Sequence, residues 1–334
     1  QSSSAASDVY KRQRHTYILV VDLEIQDQLL SGSIDATVCG RDDGIYEAFE
    51  GLFNETTVTY GTNKTMVTTN DCGEIPPIIV IDKTFVSASE PDVNGDFLVT
   101  YTLDVSNSGG QLGYYDLTDD PEFDTNITVS GGAVFGHYAT NLVGDGPYTI
   151  ITNEPIAAGS NQLYTLTLNA NLQTQVLNGS IPITPCLVLQ GSYQTGKGLF
   201  NEATVTYGTN SISFYTNTCG NVPPRIVPFK TFVSASQPDV SGNFSATYTI
   251  TMVNVGGQSG TYDLEDTPAP DTNITVNAAA ISGQLVTNYA GAGPYLLASN
   301  VTLGAGASHV YGLVLDLTLQ NQVLDGTVPV SLCG

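Results

Sequence analysis

The sequence predicts an all-β protein made of tandem β-sandwich domains. Three features lead to this prediction: residues that favour strands are abundant, short segments alternate apolar and polar side chains, and long segments recur after 147 residues. Thr, Val, Ile and Tyr are common, whereas the helix-favouring Lys, Arg, Glu and Met are scarce. The 34 glycines and 16 prolines supply turns between strands.

Individual strands are visible as alternation with a period of two. Residues 99–105, 164–168 and 203–207 each place apolar side chains on one face and Thr or Asp on the other. Turn-forming sequences, each ending in Gly-Gly, stand at residues 107–110 and 254–257. Such half-buried strands at short spacing are typical of two sheets packed face to face.

The repeat has no insertion or deletion. Its clearest matching pairs are residues 83–89 with 230–236, residues 51–55 with 198–202, and residues 124–129 with 271–276. Loops of related domains ordinarily differ in length. A repeat without gaps therefore indicates a regular spacing between units, as in a rod or fibre.

Domain boundaries are expected at two Pro-Pro pairs, residues 76–77 and 223–224, which stiffen the chain. Residues 1–13 have no counterpart one repeat later and are expected to be an unstructured sequencing or cloning scar. We therefore expect the chain to be a piece of a longer protein. The first repeat, residues 14–75, is the C-terminal part of a sandwich. The middle repeat, residues 76–222, is complete, and the third repeat, residues 223–334, is truncated.

The five cysteines follow the repeat. Cys39 and Cys72 correspond to Cys186 and Cys219, and Cys333 corresponds to Cys39. Disulfides within the two pairs would each stabilise the fold by roughly 3 to 4 kcal/mol, although free structural thiols are the alternative. Disulfides imply an oxidising compartment, so we expect an extracellular protein that is secreted or at the cell surface.

Charge and composition exclude several classes of function. The chain carries 9 Lys and Arg against 32 Asp and Glu, a formal net charge of −23, which disfavours nucleic acid and anionic lipid partners. No apolar run is long enough for membrane insertion of this fragment. None of the three histidines lies near a repeated nucleophile, so we expect no enzyme activity.

Four segments in order resemble the immunoglobulin-like repeats of bacterial surface proteins, often filed as domain of unknown function eleven. They are Lys-Thr-Phe at residues 83–85, the strand and turn at residues 99–110, Tyr-Asp-Leu-Thr-Asp at residues 115–119, and residues 200–205. The resemblance covers nearly all of the middle repeat and departs from the family at the paired cysteines. It implies an immunoglobulin-like fold in a secreted or wall-attached bacterial stalk, adhesin or filament.

In surface domains of this general type, a first-strand lysine and a last-strand asparagine can condense into an isopeptide bond, assisted by a buried carboxylic acid. Lys83 lies on the expected first strand just after the Pro-Pro pair and Asn201 on the last strand, with Asp116 and Asp119 on a strand between them. The sequence alone favours a simpler interpretation, in which Lys83 is a lysine at the rim of the sandwich and Asn201 is a turn or strand-end residue.

Repeated carboxylates suggest calcium, which prefers six to eight oxygen ligands. Ordinary turn-forming aspartates are the favoured alternative, and no other cofactor is expected. The candidate ligands are Asp92, Asn94, Asp96, Asp116, Asp119, Asp124, Asp263, Asp266 and Asp271.

Asn-x-Thr glycosylation patterns at Asn126 and Asn273 are kept at the repeat distance. They mark either surface glycans or plain turns.

The favoured function is a structural stalk or filament whose partners are neighbouring repeats, with self-association into fibres. The alternatives are an adhesin or module that binds a surface glycan or protein ligand, and accessory repeats of a larger secreted enzyme. The absence of Trp and the inward position of many of the 18 Tyr favour a structural role.

Overall fold

The computed structural model describes residues 14–42 and 45–331, and almost all of its regular structure is β-strand. Strands make up 55% and helices 4%, which confirms the predicted all-β, sandwich-like fold. The predicted scar at residues 1–13 and Cys333 lie outside the described residues. The described helices are single turns, and none has the length and apolar composition needed to cross a bilayer.

The first repeat has little packed structure of its own. Residues 14–26 are exposed and outside any helix or sheet, and two pairs of antiparallel strands follow further along the chain. The elements are α1 (Asp27–Leu30), β1 (Arg41–Asp42), β2 (Ile45–Tyr46), β3 (Leu52–Tyr60) and β4 (Thr65–Gly73). Strands β3 and β4 pair only with each other and form a separate two-stranded sheet among the described residues.

The middle repeat is a sandwich of two antiparallel sheets, ordered β5-β6-β11-β8-β9 and β10-β7-β14-β15. Its elements are β5 (Ile79–Ala88), β6 (Asp96–Asn107), β7 (Gly113–Pro121), β8 (Ile127–Gly136), β9 (Thr140–Val143), β10 (Tyr148–Ile156), β11 (Ser160–Leu172), α2 (Thr174–Leu177), β12 (Val188–Leu189), β13 (Ser192–Tyr193), β14 (Leu199–Tyr207) and β15 (Ile212–Gly220). The predicted inward residues of β6, among them Val99 and Leu103, are fully buried, and β11 and β14 alternate as predicted.

The third repeat has the same five-stranded sheet but only half of the facing one. Its sheets are β16-β17-β22-β19-β20 and the two-stranded β18-β21. Its elements are β16 (Ile226–Ala235), β17 (Asn243–Asn254), β18 (Gly260–Asp266), β19 (Ile274–Gly283), β20 (Thr287–Ala290), β21 (Tyr295–Leu303), β22 (Ser308–Leu319) and α3 (Asn321–Leu324). Within residues 223–331 no strands take the places of β14 and β15.

The junction between the middle and third repeats is packed. The core of the middle repeat continues past Val222 into Val255 of the third repeat. The Ile183 amide donates to the Val255 carbonyl at 2.9 Å, and the Phe229 ring covers Gly179 so closely that a Cβ there would lie 2.3 Å from it. The two repeats therefore form a close contact, and more than a Pro-Pro linker joins them.

Candidate functional site: a buried lysine, aspartate and asparagine

Lys83 is a buried residue of β5. Strand alternation turns Ile79, Ile81 and Lys83 toward the facing sheet, so the lysine takes a position that an apolar residue would normally fill. Its side chain is 0% exposed. The interpretation of Lys83 as a rim lysine is therefore wrong, because the β14-β15 hairpin covers the face on which it lies.

Asp119 and Asn201 come from the opposite sheet, on the neighbouring strands β7 and β14. The register places Asp119 opposite Ala203 and Asn201 opposite Pro121, so the two side chains are diagonal neighbours on the inner face. Both residues are almost fully buried. Asn201 is thus an inward core residue, which corrects the interpretation of a turn or strand-end residue.

The lysine reaches across the sandwich to the aspartate. Lys83 Nζ donates a hydrogen bond to Asp119 Oδ2 and lies 5.1 Å from the centre of the Tyr101 ring. Asn201 is close enough to lower the pKa of Asp119, yet neither polar atom of its amide has a regular hydrogen bond, and Asp119 Oδ1 has none. A buried polar group left unpaired costs about 1 to 3 kcal/mol, so this arrangement needs an explanation beyond packing.

Burial shifts both titratable groups toward their neutral forms. It lowers the pKa of Lys83 to about 8, although the negative charge of Asp119 acts in the opposite direction. Burial also raises the pKa of Asp119, against the effects of Lys83 and Asn201. Both pKa shifts move the pair in the direction of a neutral amine beside a protonated carboxylic acid, because the dry interior penalises both charges.

Tyr101 is a part of the site that the sequence reasoning missed. Its hydroxyl group donates to the Leu199 carbonyl at 2.7 Å, which ties β6 to β14 two residues before Asn201. Phe85 packs edge-on against its ring at 5.7 Å. The signal was available, since Tyr101 is an inward residue of a predicted strand and carries a hydroxyl group that needs a partner in the core.

Asp116 does not belong to this cluster. It lies on the outer face of β7, is exposed, and accepts a hydrogen bond from the Asn153 amide at 2.7 Å. The inclusion of Asp116 beside Asp119 was wrong because residues three apart on a strand point to opposite faces. The four candidate residues of the isopeptide site thus reduce to three.

The candidate calcium ligands of the middle repeat are not brought together. Asp92 Oδ1 accepts the amides of Asn94 and Asp96 in a turn. Asp96 Oδ1 accepts Asn171 Nδ2 at 2.8 Å, and Asp124 Oδ2 accepts the Thr184 amide at 3.0 Å. Asp92 and Asp124 each accept the backbone amide two residues on, as turn-forming aspartates do, and Asp96 and Asp124 also bind partners far along the chain.

The third-repeat ligands are also separate. Asp263 accepts the Asn300 amide, Asp271 accepts the Ser331 amide, and Asp266 faces Lys230. In the part of the chain that the structure describes, no three His, Cys, Asp or Glu residues are grouped to hold a metal. Calcium binding remains an untested prediction.

The two glycosylation candidates lie at turns. Asn126 and Asn273 are half-buried residues just before β8 and β19. The Asn126 side-chain amide, where a sugar would attach, donates to Asp124 Oδ1 at 3.0 Å. Glycosylation at these positions also remains an untested prediction.

Both predicted disulfides are present. Cys186 and Cys219 are joined with a Cα–Cα distance of 5.9 Å, and Cys39 and Cys72 with one of 6.0 Å. The bond between Cys186 and Cys219 fastens the segment before β14 to the end of β15. The disulfide is therefore a second restraint on the hairpin that carries Asn201, besides the hydrogen bond from Tyr101.

The third repeat contains the equivalents of Lys83, Asp119 and Tyr101. Lys230 donates to Asp266 and lies 4.9 Å from the Tyr248 ring. The Lys230 side chain is 41% exposed, compared with 0% for Lys83. The difference arises because no hairpin covers this face among the described residues, and no asparagine stands there in the place of Asn201.

No protein-family model matches the chain, and no curated protein matches it.

Proposed function

We propose that the middle repeat is a structural module that resists tension and in which Lys83 and Asn201 become joined by an isopeptide bond. Asp119 assists the reaction. The observation that carries this proposal is the buried cluster itself, in which an amine, a carboxylic acid and an unpaired amide from two facing sheets lie together out of water. A simple buried ion pair explains the cluster less well, because such pairs seldom stabilise a fold and this one leaves three polar atoms unpaired.

The reaction needs only these three side chains. The neutral Lys83 amine attacks Asn201 Cγ while protonated Asp119 donates a hydrogen bond to the amide oxygen and increases the positive character of the carbon. The carboxyl group then carries one proton from the attacking nitrogen to Asn201 Nδ2. Ammonia leaves, a C–N bond replaces the one broken, and no oxidant or other reactant is required.

The bond would have a mechanical purpose. Lys83 lies on the first strand of one sheet and Asn201 on a central strand of the other, so the link crosses the sandwich. In the chain-entropy model, closing a loop of about 100 residues stabilises a fold by roughly 4.7 kcal/mol. The same bond would stop β5 from being pulled away from β14 under tension.

We infer the location and role of the chain from its disulfides and its junctions. Two disulfides suit an oxidising compartment, and packed junctions suit a chain of modules that transmits force. We therefore assign the chain to an extracellular stalk or filament of a bacterial surface, in agreement with the resemblance to immunoglobulin-like surface repeats.

Intact mass spectrometry of the folded chain tests the proposal. We expect the mass to be lower than calculated, after allowance for the disulfides, by one ammonia molecule, with Lys83 and Asn201 in one cross-linked peptide. The variants Lys83→Met, Asn201→Ala and Asp119→Ala should keep the ammonia. Lys64→Met and Asn217→Ala, which change a lysine and an asparagine outside the cluster, should still lose it. A folded, disulfide-bonded chain of full mass would disprove the proposal.

A further inference from the structure

The four-stranded sheet of the middle repeat has a shallow groove on its outer face, near the start of β7. The volume of the groove is about 400 Å³, which lies within the range of small-molecule sites. It is separate from the buried lysine cluster, which lies on the inner face of the same sheet. Strands β7, β10 and β14 supply the side chains that the argument below uses, namely Tyr114, Asp116, Asn153 and Thr206.

Three of these side chains form a polar row across the sheet. Asp116 stands directly opposite Thr206 in the register of β7 and β14. On its other side, an irregularity in the pairing of β10 brings Asn153 beside it, and the Asn153 backbone amide donates to Asp116 Oδ1 at 2.7 Å. This hydrogen bond holds the exposed carboxylate in place, so Oδ2 is available to a ligand. The groove therefore presents a fixed acceptor between an amide side chain and a hydroxyl group.

Tyr114 adds an aromatic surface at the end of this row. It lies two residues before Asp116 on the same face of β7, and its side chain is 50% exposed. An exposed tyrosine ring offers a flat apolar surface together with a hydroxyl group. Tyr114 thus differs from Tyr115, which points into the core and is buried.

The openness of the groove does not depend on where the chain begins or ends. The middle repeat has both of its sheets, including β14 and β15, and the groove is open in their presence. The third repeat shows that a complete preceding repeat leaves this place uncovered as well. There Asp263 accepts the Asn300 amide at 2.7 Å, as Asp116 accepts that of Asn153, and both Asp263 and Asn300 are exposed.

We propose that the groove of the middle repeat binds a neutral saccharide. Asp116 Oδ2 accepts hydrogen bonds from sugar hydroxyl groups, and a charged acceptor makes these bonds stronger than neutral ones. The side chains of Asn153 and Thr206 donate to and accept from further hydroxyl groups. The Tyr114 ring packs against the apolar C–H face of the sugar. Acidic sugars are disfavoured, because Asp116 and the net charge of −23 repel them.

The saccharide site gives the stalk a second property, the ability to hold a glycan along its side. It does not depend on the isopeptide bond, since Asp116 lies outside the lysine cluster. The third repeat has Thr261 in the place of Tyr114, and without the aromatic ring we expect no equivalent site there. The difference between the two repeats provides a matched control.

Native gel electrophoresis of the full chain in gels that contain a polysaccharide tests the proposal. The neutral polymers are β-glucan, mannan, galactan, xylan and glycol chitin, and polygalacturonate is the acidic one. We expect at least one neutral polymer to slow the chain and polygalacturonate to have no effect. Asp116→Asn should raise the dissociation constant at least about tenfold, because a hydrogen bond to a charged group is lost. Tyr114→Ala should weaken binding as well.

Two variants control for general effects of these substitutions. Asp263→Asn makes the same change at the equivalent place of the third repeat, and Tyr138→Ala removes another exposed tyrosine of the middle repeat. Both should bind as the parent chain does. Equal mobility in gels without polysaccharide and equal far-ultraviolet circular dichroism show that all variants are folded.

The proposal is overturned if no neutral polymer slows the chain, or if only polygalacturonate does. It is also overturned if Asp116→Asn and Asp263→Asn weaken binding equally, or if neither Asp116→Asn nor Tyr114→Ala weakens it. Asp116→Asn should still lose ammonia from the middle repeat, so the mass measurement and the gel test the two proposals separately.

Discussion

At the residue scale, the main feature is a lysine in a position that packing alone would give to an apolar side chain. A buried amine is stable only if its neighbours compensate for the lost water, and Asp119 and the Tyr101 ring do so only in part. The remaining cost shows in the lowered pKa of Lys83 and the raised pKa of Asp119. Both shifts move the pair toward the protonation states that amide formation needs.

The lowered pKa of Lys83 gives a pH-dependent prediction for the unbonded variant Asn201→Ala. The pKa of Lys83 is about 8 in the folded chain and 10.5 for an ordinary lysine, as in the unfolded chain. Between these two pH values the unfolded state binds more protons than the folded state, so the free energy of unfolding rises with pH. We expect the free energy of unfolding of the middle repeat to increase over this range by on the order of 3 kcal/mol.

Pulse proteolysis in urea at a series of pH values, read out on peptides of residues 76–222, measures this effect. The matched control is Asn201→Ala combined with Lys83→Met, which lacks the titrating amine and should show no rise. An equal rise in both variants would mean that Lys83 titrates normally in the folded chain.

At the scale of secondary-structure elements, the β14-β15 hairpin determines whether the site exists. It covers Lys83, supplies Asn201 and is fastened by the disulfide between Cys186 and Cys219. The third repeat shows the result of its absence, since Lys230 keeps its aspartate partner but stays open to solvent. Burial of Lys83 therefore depends on the hairpin as much as on the position of the lysine in β5.

Removing the disulfide of the middle repeat should weaken this hairpin. In an Asn201→Ala background, Cys186→Ser with Cys219→Ser should lower the stability of the middle repeat by roughly 3 kcal/mol, because the crosslink closes a loop in the unfolded chain. Urea unfolding followed by proteolysis measures the loss. The same change at Cys39 and Cys72, which fasten the uncovered hairpin, should leave the middle repeat within about 0.5 kcal/mol of its parent.

At the scale of the whole molecule, the same junction contact occurs twice. The Ala36 amide donates to the Ser108 carbonyl at 2.7 Å, and the Ile183 amide donates to the Val255 carbonyl at 2.9 Å one repeat later. Arg225 adds a hydrogen bond from its guanidinium to the Asp92 carbonyl at 2.7 Å. This recurrence supports the proposal of a stalk or filament, in which successive repeats would take similar orientations.

Weakening the junction should make the chain flexible without unfolding the repeats. We expect Arg225→Ala with Phe229→Ala to broaden the distribution of distances between spin labels on the middle and third repeats. The reason is that the double variant loses the contact between Phe229 and Gly179 and the hydrogen bond of Arg225. Val233→Ala changes an exposed residue of the same strand and is the control. An unchanged distribution in the double variant would show that these contacts do not set the orientation.

The sequence by itself determined the all-β fold, the inward faces of the main strands and both cysteine pairs. These depend on local alternation and on counting along the chain, which need no knowledge of which strands are neighbours. The same alternation could have separated Asp119 from Asp116, since Tyr115 and Leu117 point inward with Asp119.

Only the tertiary structure decided that Lys83 is buried and that Tyr101 secures β14 beside it. It also decided that the calcium candidates do not form one group in the described part of the chain. Each of these depends on which strand lies opposite which, and β7 and β14 are far apart in sequence although adjacent in the sheet. Contacts between such distant segments set the solvent exposure of a side chain, and with it the pKa and the chemistry of the amine.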